Sequence, residues 1–428
     1  MYIFYDIVFA FLSFFYLTYL IYKRKYHRDF LQRLGIFPKN FFQKIKGKKV
    51  VWIHAVSVGE VNASRFLWKL LRESYADYKI VFSTVTKTGN VLARKFALPD
   101  EIVIYAPLDF SFIVRKTFRA IKPSLLVVLE TELWPNFIFQ SYMLKIPMVL
   151  VNARISDKAF RRYRLVKFLL KPILRRISLV LAQSQKDKKR FIDLGVNQEK
   201  VSVTGNMKFD DTDYADSKKD YTDLRRKLGI GTKEKLLVAG STHKGEEKII
   251  LAVYKELLLD YPDLRLVLAP RHPERSTEIE KLVIKKRFSS IRLSSLNYQL
   301  PVTNYQLTVF ILDTVGQLRN YYMIADIVFV GGSLTKKGGH NIIEPAVFSK
   351  AVISGKYFFN FLDIFKVFQE KNAVLVCENK KEFKDCIINL LDAPAERERI
   401  GLLAKEVVLK ARGATARNLE ALSKYLDR

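Results

Sequence analysis

A carboxylate, Glu60, stands where a buried-type strand turns into a helix. Residues 51–56 are almost wholly apolar, Gly59 permits a tight turn, and a helix is expected to begin near Glu60. Open α/β folds bind their ligands at the carboxyl edge of the parallel sheet, which is where this turn would place the carboxylate. The alternative interpretation is a helix-opening glutamate that only complements the helix dipole. The sequence therefore predicts either a ligand-binding carboxylate or a helix cap at this position.

Several turns in the second half of the chain have the composition of phosphate-binding loops. Each is expected to follow a strand, and backbone N–H groups in such turns can face an anion. These turns are Gly240-Ser241-Thr242, Pro270-Arg271-His272-Pro273, Gly331-Gly332-Ser333 and Gly338-Gly339. Asn341 then opens a helix whose first turn carries Glu344, a carboxylate that could accept both ribose hydroxyls of a nucleotide while the helix N-terminus faces phosphate. Helix capping is the alternative role for Glu344, but loops at successive strand ends favour a nucleotide site.

Apolar runs alternate with helical stretches along most of the chain, which predicts parallel sheets covered by helices on both faces. The runs form two series, separated by a polar, charge-rich segment at residues 211–233. The predicted strands are 49–56, 79–86, 124–130, 147–152, 179–183 and 201–204 in the first series, and 235–239, 265–269, 309–312, 327–330 and 351–354 in the second. The sequence therefore predicts two similar α/β domains that face each other across a cleft.

Composition limits the class of protein. The chain has 428 residues, of which 49% are hydrophobic, so it is long enough for two domains with substantial cores. It carries 73 lysines and arginines against 43 aspartates and glutamates, and this net charge of +30 predicts a surface that attracts phosphate groups, either of nucleic acid or of anionic lipid. The two cysteines, Cys377 and Cys386, suggest neither a disulfide framework nor a zinc site, which fits a reducing cytoplasm.

The N-terminal segment distinguishes between these two partners. Residues 2–22 are almost entirely apolar and aromatic, long enough for a membrane-spanning helix, and a basic cluster begins at Lys23. We therefore expect residues 1–25 to be a membrane anchor, with the body of the protein on the cytoplasmic side by the positive-inside rule. Because this span is present and no nucleic-acid-binding motif is found, nucleic acid is not expected as a partner.

Two alternatives to a spanning anchor follow from the same residues. A cleaved signal peptide is disfavoured, because no basic region precedes the apolar core and no small-residue cleavage site follows it. Asp6 is a charged residue near the outer end of the predicted span, where it can still reach the interface. It leaves open an interfacial helix that lies in the plane of the membrane.

A second basic surface is predicted between residues 154 and 190. Lysines and arginines there alternate with apolar side chains such as Phe160, Leu165 and Phe168. The pattern is typical of a basic amphipathic helix, which could lie on an anionic leaflet or flank a cleft for a phosphorylated lipid. An ordinary surface helix with snorkelling side chains is the alternative.

Six motifs follow one another along the chain. They are His54 to Glu60, Glu130 to Pro135, Asn152 to Ser156, Gly205 to Asp210, Pro270 to Arg275 and Gly339 to Ala346. With the apolar N-terminal segment, their order and spacing closely resemble those of the 3-deoxy-D-manno-octulosonic acid (Kdo) transferases of lipopolysaccharide synthesis, which are GT-B glycosyltransferases. The resemblance spans nearly the whole chain, and six ordered motifs are far more specific than one glycine loop.

The resemblance implies an α/β fold of the GT-B type, with two Rossmann-like domains facing a cleft and an N-terminal membrane-anchor helix. Residues 26–210 would form the acceptor-binding domain, residues 211–233 the linker and residues 234–428 the CMP-Kdo-binding domain, with the last helix able to return to the first domain. The implied reaction is inverting transfer of Kdo from CMP-Kdo to the tetra-acylated lipid A precursor, lipid IVA, at the cytoplasmic face of the anionic inner membrane. The alternatives are another GT-B membrane glycosyltransferase with a different nucleotide sugar and a catalytically silent membrane scaffold.

The resemblance also implies residue roles. Glu60 would accept the proton of the attacking hydroxyl, while Glu130 and Lys208 would stabilise the oxocarbenium-like transition state. Structural ion pairing is the alternative for Glu130 and Lys208. The CMP pocket would comprise Pro270, Arg271, Val315, Gly316, Gln317, Asn341, Ile342, Ile343 and Glu344. His54 and His272 are expected to be packed, hydrogen-bonded histidines without a proton-transfer role.

A possible metal motif is the last feature of the sequence. Asp211-Thr212-Asp213 imitates the Asp-X-Asp motif with which other glycosyltransferases hold a divalent ion on a pyrophosphate. It lies in the predicted linker, and a CMP donor carries a single phosphate whose charge needs less neutralisation. We therefore expect no metal and no cofactor.

Overall fold

The computed structural model describes residues 5–11, 28–39, 41–210, 222–295 and 307–427. The chain divides into two compact units: unit 1 contains Met1–Asp211 and Ala411–Arg428, and unit 2 contains Thr212–Lys410. Each unit is built on a parallel sheet of seven strands. The prediction of two α/β units with parallel sheets is therefore confirmed.

Unit 1 has the strand order β3-β2-β1-β4-β5-β6-β7. Its strands are β1 Lys49–His54, β2 Tyr78–Thr84, β3 Ile102–Tyr105, β4 Leu125–Leu129, β5 Met148–Ala153, β6 Leu179–Ala182 and β7 Val201–Val203. Its helices are α1 at residues 5–11, α2 Val58–Ser74, α3 Lys87–Phe96, α4 Ser111–Ile121, α5 Pro135–Met143, α6 Asp157–Leu165, α7 Lys167–Leu174, α8 Gln185–Leu194 and α17 Ala414–Leu426.

The sheet of unit 1 creates a crevice at the carboxyl ends of two central strands. Strand β1 pairs with β2 on one side and with β4 on the other. Connections that leave neighbouring strands in opposite directions open a crevice at their carboxyl ends, where doubly wound folds bind ligands. Glu60 follows β1 and Glu130 follows β4. Both candidate carboxylates therefore stand at this switch point.

Unit 2 has the strand order β10-β11-β9-β8-β12-β13-β14. Its strands are β8 Lys235–Thr242, β9 Leu264–Pro270, β10 Ser289–Arg292, β11 Thr308–Ile311, β12 Ile327–Val330, β13 Ala351–Gly355 and β14 Leu375–Cys377. Its helices are α9 Thr222–Lys227, α10 Glu246–Leu257, α11 Ser276–Lys285, α12 Leu318–Ile324, α13 Ile343–Ala346, α14 Leu362–Glu370, α15 Lys380–Asp392 and α16 Pro394–Ala411. The switch point of this sheet lies where β8 is flanked by β9 and β12.

Three strands were absent from the prediction, and all three are edge strands. They are β3, β10 and β14, which have four, four and three residues. A run this short gives little periodic signal, and β10 is only partly buried. The eleven predicted strands are all present: ten are central strands with apolar runs, and the eleventh, β7, is a three-residue edge strand.

The basic segment predicted as one amphipathic helix contains two helices, α6 and α7, and then continues into β6 and α8. α6 ends at Leu165 and α7 begins at Lys167, with Val166 between them outside the helical range. Pro172 lies inside α7, and such a residue cannot donate the helical hydrogen bond. Leu165 and Phe168 flank the break and are 80% and 74% exposed, so this basic surface also presents apolar side chains to solvent.

The last helix, α17, belongs to unit 1. The carboxylate of Asp210 accepts hydrogen bonds from the backbone N–H groups of Gly413 and Thr415 at the beginning of this helix. At its other end, the Tyr78 hydroxyl donates to the carbonyl oxygen of Leu426 at 2.6 Å. Unit 1 is therefore completed by a segment that follows unit 2 in sequence.

Most of the predicted anchor, residues 1–25, lies outside the described residues, but its described part, residues 5–11, is helical. The Asp6 carboxylate accepts from the backbone N–H of Ser111 at 3.1 Å and from the side-chain amide of Asn136 at 2.8 Å. Asp6 therefore contacts the beginnings of α4 and α5 within unit 1. Within the described ranges, no helix is long and apolar enough to cross a membrane.

Candidate active site

Glu60 both caps α2 and lies at the switch point of unit 1. Its carboxylate accepts from the backbone N–H of Val56 at 2.7 Å and from the Ser57 hydroxyl at 2.9 Å. Ser57 is the N-cap residue, and its side chain accepts from the backbone N–H of Glu60, an arrangement close to a capping box. The helix-cap alternative is thus present in the structure, and it coexists with a carboxylate at the ligand-binding edge of the sheet.

The environment of Glu60 favours its neutral form. Burial is the main cause that raises the pKa of Glu60 to about 7, and the negative charges of Glu132 and Glu130 add to this effect. The hydrogen bonds from Val56 and Ser57 oppose it. A carboxylate with a pKa near neutrality can both accept and release a proton under physiological conditions.

Glu130 is surrounded by cations and stays charged. Its carboxylate accepts from Lys208 Nζ at 3.0 Å and from Arg154 Nε at 2.9 Å. Burial disfavours the charged form, but the positive charges of Lys208 and Arg154 outweigh burial and hold the pKa of Glu130 below its ordinary value. The structure thus brings Glu130 and Lys208 together, and adds Arg154 as a partner that the prediction did not include among the site residues.

Two left-handed residues shape the loops that carry this ion pair. Glu130 has φ of +52° and Asn152 has φ of +54°, and each stands at or just after the carboxyl end of a strand. The side-chain oxygen of Asn152 accepts from the backbone N–H of Met207 at 3.0 Å. This bond joins the end of β5 to the turn that carries Lys208. Asn152 and Arg154 belong to one motif, which was the available signal for the role of Arg154.

Glu132 lies near Glu60, and its partner Trp134 packs against His54. Trp134 Nε1 donates to the Glu132 carboxylate at 2.7 Å, and burial raises the pKa of Glu132. His54 Nδ1 lies 2.9 Å from the Ser83 hydroxyl, and burial lowers the pKa of His54 to about 3. His54 is therefore a neutral, packed histidine at physiological pH, in agreement with its expected structural role.

In unit 2, one predicted phosphate loop already holds an anion from the protein. The Glu246 carboxylate accepts from the backbone N–H groups of Gly332, Ser333 and Leu334 at 2.7, 2.9 and 2.9 Å. It also accepts from the backbone N–H of His243 at 2.9 Å. The prediction that Gly331-Gly332-Ser333 binds phosphate through these N–H groups is therefore wrong, because Glu246 occupies them. The prediction missed Glu246, which opens α10 and has no distinctive motif.

A histidine pair lies at the same edge of the sheet. His243 Nε2 and His340 Nε2 are 2.8 Å apart, so one ring nitrogen donates to the other. Burial is the largest cause that lowers the pKa of each ring to about 4, and Arg271 and His272 contribute positive charge to the surroundings of both. The pair is neutral near pH 7 and connects the turn after β8 with the loop that precedes Asn341.

The predicted CMP residues lie after three strands of unit 2. Pro270 ends β9 and Arg271 follows it, while Val315, Gly316 and Gln317 follow β11. Asn341 donates to the Glu344 carboxylate at 3.3 Å, so these two side chains meet. Ile342 and Ile343 are both about 1% exposed, and their side chains belong to the core. Helix α13 has only four residues, so the expected dipole of a longer helix facing phosphate is not present there.

The sequence predicts that the protein holds no metal ion. Asp211-Thr212-Asp213 lies outside the described residues. Among the residues that the structure describes, no group of three or more histidine, cysteine, aspartate or glutamate side chains is placed to hold a metal ion. Metal independence stays a prediction.

Comparisons with known proteins identify the family. The family described as 3-deoxy-D-manno-octulosonic-acid transferase (kdotransferase) matches residues 28–211. A 3-deoxy-D-manno-octulosonic acid transferase from Haemophilus influenzae is 38% identical over 405 residues, which cover 94% of this chain and 93% of that protein. The chain belongs to the Kdo transferase family. Another Kdo transferase, from Chlamydophila psittaci, is 33% identical and covers 88% of this chain and 86% of its own length.

Solved structures agree with this family on the fold. The UDP-GlcNAc 2-epimerase from Neisseria meningitidis, bound to UDP-GlcNAc, has a TM-score of 0.58 with 14% identity and covers 88% of this chain and 100% of its own. At this identity the likeness shows the fold alone. The chain therefore shares its α/β fold with this epimerase.

Proposed function

We propose that this chain transfers Kdo, with inversion, from CMP-Kdo to a sugar hydroxyl of the tetra-acylated lipid A precursor. The observation that carries the proposal is Glu60, a carboxylate with a pKa near 7 at the switch point of unit 1, beside the ion-paired Glu130. In this reaction the acceptor hydroxyl attacks the anomeric carbon of Kdo, the bond to CMP breaks, and Glu60 accepts the hydroxyl proton.

Glu130, Lys208 and Arg154 would stabilise charge in the same step. The Kdo ring gains positive charge as the CMP bond breaks, while the leaving phosphate and the Kdo carboxylate are negative. A carboxylate held between two cations supplies groups of both signs without reorganisation during the reaction. In unit 2, Arg271, the loop 315–317 and the Asn341–Glu344 pair would bind CMP.

We further propose that the protein works at the cytoplasmic face of the inner membrane, attached at the interface. The contacts of Asp6 with Ser111 and Asn136 favour a helix beside unit 1 over a spanning anchor. The basic, partly apolar surface of α6 and α7 would add attraction to anionic lipid.

A detergent assay with CMP-Kdo and purified lipid IVA tests the reaction. CMP release and product mass are followed for wild type and for Glu60→Gln, with Glu73→Gln on the same helix as a matched control. Wild type and Glu73→Gln should add a Kdo mass increment, and Glu60→Gln should lose at least about 100-fold in rate. If folded wild type releases no CMP from CMP-Kdo, the proposed donor is wrong, and other nucleotide sugars become the next substrates.

A further inference from the structure

Unit 1 contains a partly open cavity of about 360 Å³. Its walls include Tyr5 and Phe9 of α1, Val85 after β2, Leu108 after β3, and Leu133 and Trp134 after β4. These side chains are apolar or aromatic, and they come from four segments that meet at the carboxyl edge of the sheet. The cavity therefore presents a preformed apolar surface at the end of the molecule where ligands bind in this fold.

The cavity contains few polar groups, and both the Asp109 carboxylate and the Arg33 guanidinium have a partner within the protein. The Asp109 carboxylate accepts from the Tyr5 hydroxyl at 2.9 Å and from the backbone N–H groups of Asn136 and Phe137 at 3.2 Å each. The guanidinium of Arg33 donates to the carbonyl oxygen of Val85. Polar ligand groups would lose their hydration without equivalent partners here, so the lining selects an apolar ligand.

Two loops connect this cavity with the candidate base. The backbone N–H groups of Val85 and Thr86 both donate to the Val56 carbonyl oxygen at 3.2 Å, and the N–H of Val56 donates to Glu60. On the other wall, Trp134 donates to Glu132, whose charge contributes to the raised pKa of Glu60. Two short hydrogen-bonded paths therefore join the walls of the cavity to the surroundings of Glu60.

We propose that this cavity is a subsite for one acyl chain of the lipid acceptor, and this inference rests on the proposed function. The volume is at the lower end of the roughly 300–1,000 Å³ typical of ligand pockets, which suits a single chain and not a whole lipid. Each buried methylene contributes about fourfold to affinity. The cavity would thus both strengthen acceptor binding and fix the sugar relative to Glu60.

A matched pair of valine variants tests this role. Val85→Phe narrows the cavity, and Val91→Phe places the same change on an exposed position of α3. The assay compares kcat/KM for lipid IVA with that for its fully deacylated disaccharide bisphosphate. Val85→Phe should lower kcat/KM at least about tenfold for lipid IVA and about twofold or less for the deacylated acceptor, whereas Val91→Phe should change neither. Equal losses on both acceptors, or no loss on lipid IVA, would overturn the subsite.

A binding measurement tests the subsite without requiring catalytic turnover. The chain has three tryptophans, of which Trp52 and Trp68 are fully buried in the core, so Trp134 is the residue that a chain in the cavity contacts. Lipid IVA with a brominated acyl chain should quench tryptophan emission in wild type and Val91→Phe, less in Val85→Phe, and not in Trp134→Phe. Quenching that is unchanged in Val85→Phe, or equally strong with a brominated phospholipid, would refute an acceptor-specific subsite.

The two experiments separate failure of the subsite from failure of the proposed function. A wild-type protein that transfers no Kdo to either acceptor contradicts the proposed reaction, while the quenching assay still decides whether the cavity takes an acyl chain. A wild-type protein that transfers Kdo equally well to both acceptors supports the reaction and contradicts the subsite.

Discussion

Three carboxylates near one edge of unit 1 have different surroundings and therefore different protonation behaviour. Burial raises the pKa of Glu60 and of Glu132, while Lys208 and Arg154 outweigh burial at Glu130 and lower its pKa. Pairs of acidic groups whose environments separate their pKa values commonly divide proton transfer and charge stabilisation between them. This division agrees with Glu60 as the base and Glu130 as a permanently charged group.

The pH dependence of turnover follows from Glu60. A base must be deprotonated, so kcat/KM of wild type should rise about tenfold per pH unit below pH 7 and level off above it. Rates measured from pH 5.5 to 8.5, with CMP-Kdo stability checked separately, give this profile. A flat profile across that range would contradict the assignment of Glu60 as the base.

The same pKa predicts the stability of Glu60→Gln. The folded pKa of about 7 exceeds the ordinary value of 4.5, so the contribution of Glu60 to stability is present below pH 4.5 and is lost as pH rises through 7. Glutamine stays neutral and can preserve the cap of α2. Thermal unfolding at pH 8 should therefore show Glu60→Gln at least as stable as wild type. A clearly lower Tm at pH 8 would mean that the loss of activity has a structural cause.

At the scale of elements, Glu246 connects the beginning of α10 with the loop after β12. It is fully buried, and its charge is compensated by backbone N–H groups of that loop and of His243. Desolvation raises its pKa, and these N–H bonds oppose the shift. The loop and the helix should therefore depend on one another for their conformation.

Glu246→Gln should destabilise unit 2. The substitution replaces a charged acceptor with an amide that also carries donors, at a cost of about 2–3 kcal/mol. For a unit of this size the Tm should fall by about 5–10 °C, and CMP binding should weaken because the loop before Asn341 loses its support. Glu278→Gln, at an exposed position of α11, is the control for removal of a charge. An unchanged Tm for Glu246→Gln would show that the loop holds its conformation without this carboxylate.

The surface formed by α6 and α7 makes a separate prediction about membranes. Leu165→Ser combined with Phe168→Ser should lower binding to vesicles rich in anionic lipid about tenfold or more, because two exposed apolar side chains are lost. Leu259→Ser combined with Leu402→Ser, at exposed positions of unit 2, should leave binding unchanged. Vesicle co-sedimentation at low and high salt measures both effects. Equal binding of the two double variants would exclude this surface as the attachment site.

At the scale of the whole molecule, the net charge of the protein and the single phosphate of a CMP donor bear on whether the reaction needs a metal ion. The net charge of +30 supplies cations for phosphate and carboxylate groups from the protein itself. Arginine and lysine side chains such as Arg154, Lys208 and Arg271 can neutralise the charge of a donor phosphate, as a divalent ion does for pyrophosphate donors.

We accordingly predict that Kdo transfer does not require a metal. Turnover should survive dialysis against EDTA and should not rise when Mg²⁺ or Mn²⁺ is added back. A parallel assay of a metal-dependent glycosyltransferase confirms that chelation was complete. Activity that disappears with EDTA and returns with Mg²⁺ would contradict the prediction and direct attention to Asp211 and Asp213.

The sequence alone determined the features that depend on local pattern. Apolar runs identified the central strands, because burial on both faces requires continuous hydrophobic residues over the whole length of a strand. The apolar run located Glu60 just after its end, although the predicted turn at Gly59 was wrong, because α2 begins at Val58 with Ser57 as its N-cap. Motif order implied the family. Short edge strands such as β3 and β14 were missed, since three or four residues carry too little periodicity.

Only the tertiary structure decided which distant residues meet. Lys208 contacts Glu130 although 78 positions separate them, and Glu246 binds Ser333 across 87 positions. Such pairs depend on strand order and on the path of each loop, neither of which a local pattern encodes. The same holds for α17, which joins unit 1 after the chain has completed unit 2. The sequence specifies which groups are available, and the arrangement of the strands in space determines their partners and hence their charge.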